Sequence, residues 1–133
     1  GAVDAITLVE PFVTRARESD LKVLGYPTRA LADGAIVGAF FTSADFIEKN
    51  PILAKKLSEA ITEAQLYAAA HPEEVRAVLP TYTRLSESDV KNMVLPRYAE
   101  TINREAIEAT AKAMIEAGMI DKEPDLDMLV YQP

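Results

Sequence analysis

At 133 residues the chain has the size of one domain and is long enough to bury a core. Its 49% hydrophobic and 26% charged residues exclude wholesale disorder, and a net charge of −7 argues against nucleic acid or an anionic membrane surface as partner. With no cysteine and a single histidine, His71, disulfides, thiol nucleophiles, Cys-ligated zinc and a multi-histidine metal site are excluded within the chain.

The pattern changes character near Asn50: short apolar runs come before it, helical periodicity after it. Residues 3–9 are β-rich and predict a strand. Glu10-Pro11 follows, placing Glu10 at an N-cap and Pro11 at the first helical position of a short helix from Phe12 to about Ser19. Residues 21–24 predict a second strand, stopped by Gly25. An irregular stretch from Tyr26 to the turn pair Asp33-Gly34 leads to a third strand over 35–41, in which Gly38 suggests a bulge. Thr42 or Ser43 caps a short helix.

Asn50-Pro51 is the clearest helix start, with Asn at the N-cap and Pro at the first position. The helix from Pro51 to Ala70 puts Leu53, Leu57, Ile61, Ala64 and Ala68 on one face. His71-Pro72 breaks it, and Pro72-Glu73-Glu74 opens another helix that Pro80 is expected to end. Ser86-x-x-Asp89 reads as a capping box with Asp in place of Glu. A last helix runs from about Asn103 to Ala117, with Ile107, Ala111, Met114 and Ile115 inward and Gly118 as its C′ residue. The tail carries Leu126, Met128, Leu129, Val130 and Tyr131 and is expected to dock.

Catalytic constellations are scarce. No phosphate-binding glycine loop, nucleophile elbow or zincin motif occurs. His71, between Ala70 and Pro72, reads as a loop or helix-cap histidine. The pairs Glu73/Glu74 and Glu87/Asp89 complement helix dipoles in first turns. Glu10 stands at the junction of a β-rich run and a helix start, where ligands gather in α/β sheets. It either reaches a ligand or caps its own helix. Tyr26, Phe40 and Phe41 either line a pocket or belong to the core. Arg15, Arg17 and Arg29 are read as solvated.

A family resemblance rests on four motifs in order. Gly1-Ala2-Val3-Asp4-Ala5-Ile6, then Glu10-Pro11, is similar to the G-x-V-D-A … E-P segment of periplasmic solute-binding proteins of ABC importers. The subgroup is the one serving nitrate, sulfonate, taurine and thiamine-pyrimidine precursors. The run from Ser43 through Phe46-Ile47 to Asn50-Pro51 resembles that family's helix entry. So does the stretch from Ala60 and Ala64 through Tyr67 to His71-Pro72-Glu73-Glu74.

The resemblance implies an α/β, helix-rich chain, the C-terminal portion of a type-2 periplasmic-binding fold. Residues 1–42 would form a partial second-lobe segment with the return strand. Residues 43–133 would form a helical segment packing on the first lobe, the whole folding as one unit. It implies a non-catalytic protein that needs no cofactor or metal and captures a small amine- or pyrimidine-bearing or sulfonate-type solute in an interlobe cleft. Glu10, Pro11, Thr7 and Tyr26 are the expected ligand contacts. A carboxylate at a helix start repels a bare anion, so an amine- or pyrimidine-bearing solute is expected ahead of nitrate.

The implied partners are the importer's membrane subunits, with no nucleic acid, and the implied location is periplasmic or extracellular and lipid-anchored. A half-length chain is expected, so the strand edges would associate in a homodimer or swapped form. The alternatives are an enzyme like the thiamine-pyrimidine synthases of the same fold and an acidic helical interaction module.

Overall fold

Side-chain caps place four of the helix starts, and proline at the first helical position places others. The computed structural model describes residues 2–133, and the described residues form eight helices. These are α1 (Phe12–Glu18), α2 (Pro27–Leu31), α3 (Ala44–Lys49), α4 (Pro51–Ala70), α5 (Pro72–Tyr82), α6 (Glu87–Asn92), α7 (Arg104–Glu116) and α8 (Leu126–Leu129). Ser43 Oγ accepts from the Phe46 amide, Asn103 Oδ1 from Ala106, and Asp125 Oδ1 from Asp127 and Met128. Ser86 and Asp89 form the full capping box of α6. Each satisfies an amide that the first helical turn leaves without a carbonyl.

The α/β expectation is overturned: no strand forms among the described residues. Residues 3–9, 21–24 and 35–41 have strand composition, but a strand exists only where a neighbour takes its N–H and C=O groups. The three segments do not pair with one another, and Val3, Ile6, Leu24, Val37 and Phe40 stay exposed. The stretch read as irregular after Tyr26 holds α2 instead. Two further expectations shift. Pro11 is the N-cap residue of α1 and not its first helical residue, and α5 continues through Pro80 to Tyr82. Gly1, which opens the first family-like motif, lies outside the described residues.

The chain groups into two compact units that interleave along the sequence, so both draw residues from each side of the expected 42/43 boundary. One comprises Gly1–Leu24 and Gln65–Tyr98, the other Gly25–Ala64 and Ala99–Pro133. In the first, α6 packs on both α1 and α5, and Val90 and Met93 are its buried apolar residues. Arg76 of α5 donates through Nη1 to the carbonyls of Val90 and Met93, satisfying the C-terminal end of α6.

In the second unit, α2 packs on α7, and Ala106, Ala111, Leu126 and Val130 are buried. Asn103 Nδ2 donates to Asp33 O at 3.2 Å, tying the start of α7 to the turn after α2. Gly118 takes φ +68° past the end of α7, the left-handed position expected of it.

Helix α4 begins and ends where the sequence places it, but its covered face is rotated by one residue. Ala54 is buried and Ser58, Ile61, Gln65 and Ala68 are half-buried, whereas Leu53 and Leu57 are exposed.

Little of the apolar material is hidden. The accessible surface is 10745 Å² for a 14.5 kDa chain. A folded monomer of this mass exposes about 6,900 Å², and two separate bodies of half the mass about 8,300 Å² together. The chain therefore presents about 2,400 Å² more than even two independent units would.

Candidate functional site

The Glu10 region is built on the first turn of α1. Glu10 is half-buried, and its Oε2 accepts the Thr14 amide at 3.2 Å. The Phe12 and Val13 amides turn back to Val9 O, and Pro11 is buried. The Glu10–Pro11 peptide is cis. The carboxylate thus helps satisfy the open N-terminal turn of its own helix. Thr7 is exposed beside this turn in sequence. Tyr26 belongs to the other unit, at the N-cap position of α2, with the Arg29 guanidinium 5.4 Å over its ring.

One turn along α1, Arg15 makes a two-pronged ion pair that residue-by-residue reading missed. Its Nε and Nη2 donate to Asp89 Oδ1 and Oδ2, each at 2.6 Å. Asp89 Oδ2 also accepts from Ser86 N at 2.8 Å and Ser86 Oγ at 2.7 Å. The Arg15 bonds first, then those from Ser86, hold the Asp89 carboxyl well below the usual carboxylate range. Asp89 is 9% exposed and Arg15 47%, so the acid is set into the unit while the base lies over it. Only the Ser86-x-x-Asp89 spacing signalled this acid, and nothing local signalled a partner 74 residues away.

Thr14, Arg17, Glu18 and Asn92 line an open depression of about 330 Å³. Asn92 Nδ2 donates to Glu18 Oε1 at 2.8 Å across it. Arg17 and Glu18 are successive, exposed residues of α1, and Glu18 is already held by Asn92. No sequence motif marked the depression.

His71 occupies the N-cap position of α5 without capping it. Its ring stacks on Tyr67 at 3.9 Å between centroids, and Nδ1 lies 2.8 Å from Tyr67 O, the distance of an N–H donor to that carbonyl. The Tyr67 hydroxyl donates to Glu74 Oε2 at 2.8 Å. That bond, and the nearby charge, hold the phenol protonated to higher pH than usual. All three side chains are engaged with one another, and the group contains no nucleophile for a base to activate. Among the described residues no three His, Asp or Glu side chains are grouped to hold a metal ion. No helix among them is long and apolar enough to cross a membrane.

No protein-family model matches this chain, and no curated protein or solved structure does.

Proposed function

We propose that the chain is a non-catalytic solute-binding component of an ABC importer. It works in the periplasm or at a lipid-anchored extracellular position, with the importer's membrane subunits as protein partners. The observation that carries the reading is the Glu10 carboxylate, held at the first turn of α1 by the Thr14 amide within the Glu10-Pro11 motif. Glu10 Oε1 makes no hydrogen bond to another described residue and is the atom offered to a solute N–H. The order of the four family-like motifs supports the same reading.

A carboxylate so placed disfavours a bare anion and selects a solute with an amine or amino-pyrimidine group. A sulfonate solute then needs an amine of its own, as taurine has.

The test is thermal unfolding with an aminopyrimidine, taurine or nitrate added in excess. A solute at one hundred times its Kd stabilises by about 2.7 kcal/mol, a rise in Tm of roughly 5 °C or more. We expect that rise with an amine-bearing solute, none with nitrate, and none with any solute in Glu10→Gln. A nitrate response that survives Glu10→Gln would reverse the assignment.

The exposed apolar surface favours a second reading, an acidic helical module that binds another protein. Under that reading no solute moves Tm.

A further inference from the structure

The turn after α2 sets a carboxylate beside a free and unshielded amide. The Ala35 amide donates to Ala32 O at 3.2 Å, closing a β-turn whose two central residues are Asp33 and Gly34. Gly34 takes φ +71°, a conformation that a Cβ disfavours. Asp33 is exposed, and its carboxylate has no hydrogen-bond or ion-pair partner among the described residues. The Gly34 N–H has no such partner either. Only the Asp33 carbonyl is engaged, its oxygen accepting from Asn103 Nδ2 at 3.2 Å. No other aspartate of the chain precedes a glycine, so each of the others has a Cβ crowding the amide that follows it.

We propose that Asp33 is a site of spontaneous isoaspartate formation, and that the product carries its negative charge on the oxygen facing Asn103. The Gly34 nitrogen attacks Asp33 Cγ while the carboxyl is protonated. The N–Cγ bond forms, the Cγ–OH bond breaks, and the hydroxyl leaves with the Gly34 proton as water. The five-membered imide so formed is neutral. Water then opens it at either carbonyl. Opening at the Asp33 main-chain carbonyl leaves the Gly34 nitrogen on Cγ and turns that carbonyl into a free carboxylate. One water is released and one consumed, so mass and net charge end unchanged.

The charge, however, has moved. Before the reaction it lies on a side chain in water. Afterwards it lies on the group that accepts from Asn103 Nδ2, and an ionised acceptor makes a stronger hydrogen bond than a neutral carbonyl. Asn103 is the N-cap residue of α7, where the helix dipole favours a negative charge. The main chain also gains one methylene between Ala32 and Ala35, so the turn bond loses its register while the tie to α7 tightens.

The test is to age the chain at neutral pH in heavy-oxygen water and map its peptides. Each passage through the imide fixes one heavy oxygen at the residue concerned. We expect label at Asp33 at least tenfold above any other aspartate, and loss of cutting there by an endoproteinase that cleaves before aspartate. Asp33→Glu, whose ring would need one more methylene, should take up at least tenfold less label at that position. Label absent from Asp33, or spread evenly over the aspartates, overturns the proposal, as does undiminished label in Asp33→Glu.

The placement of the charge has its own readout. Asn103→Asp keeps the capping oxygen of α7 but sets a second carboxylate against the new one. In urea unfolding it should lower the folded-to-unfolded ratio at least tenfold more in the isoaspartyl form, separated by reversed-phase chromatography and refolded, than in the fresh chain. An equal or smaller effect in the isoaspartyl form overturns the assignment of its charge to Asn103.

Discussion

Asp89 shows how one side chain can carry three structural duties. It closes the capping box of α6 with Ser86, takes both prongs of Arg15, and so joins α6 to α1. Each bond favours the ionised carboxylate, so the folded pKa lies below the ordinary 3.8. The unfolded chain then binds a proton first as pH falls. The stability from this ionisation is complete above about pH 5 and is lost as pH drops through 3.8 toward the folded value. Thermal scans from pH 7 to pH 2.5 should show Tm falling below about pH 5. Asp89→Asn should start from a lower Tm at pH 7 and fall less steeply. Equal slopes in the two proteins would remove Asp89 as the origin of the acid sensitivity.

At the scale of elements, caps outweigh propensity. α7 is a good helix sequence, yet its position is set by Asn103, whose Oδ1 caps Ala106 and whose Nδ2 reaches Asp33 O. Asn103→Ala is expected to cost about 1 kcal/mol, within the roughly 0.5–2 kcal/mol of N-cap losses, read from urea unfolding. Asn103→Asp keeps the capping oxygen and loses the donor, so it should cost less. If the two variants cost the same, the tie to Asp33 would be the dominant part. α4 makes a different point. Its ends were legible from Asn50-Pro51 and His71-Pro72, but its covered face was not. Leucine spacing marks a stripe that can be buried, whereas the structure covers Ala54 and half-covers Ser58 instead.

The whole molecule is governed by how much apolar surface it leaves in water. Among the described residues no large side chain is fully buried, and the buried apolar residues are mostly small or medium in size. Apolar burial sets the heat capacity of unfolding, about 12–15 cal/mol/K per residue for ordinary globular proteins. A fully packed chain of this length would give about 1.6–2.0 kcal/mol/K. The chain should unfold in the calorimeter with a clearly smaller value. A value within that range would mean that the exposed segments are covered in solution by some other contact.

The sequence by itself determined several helix ends, because a cap is a contact between residues two to four apart and is written in the local spacing. Ser43, Ser86 and Asn103 cap helix starts where that spacing places them, and Gly118 follows the end of α7. It also marked Glu10, whose helix-capping alternative is now visible in the bond to Thr14. Tertiary structure alone decided the pairing of Arg15 with Asp89, the anchoring of α6 by Arg76, and the depression beside Glu18. Each joins residues far apart in the chain, and no local pattern records which ends will meet. It also decided the fate of residues 3–9, 21–24 and 35–41. Strand composition states what a segment can do beside a partner edge, and whether that edge exists is a property of the fold.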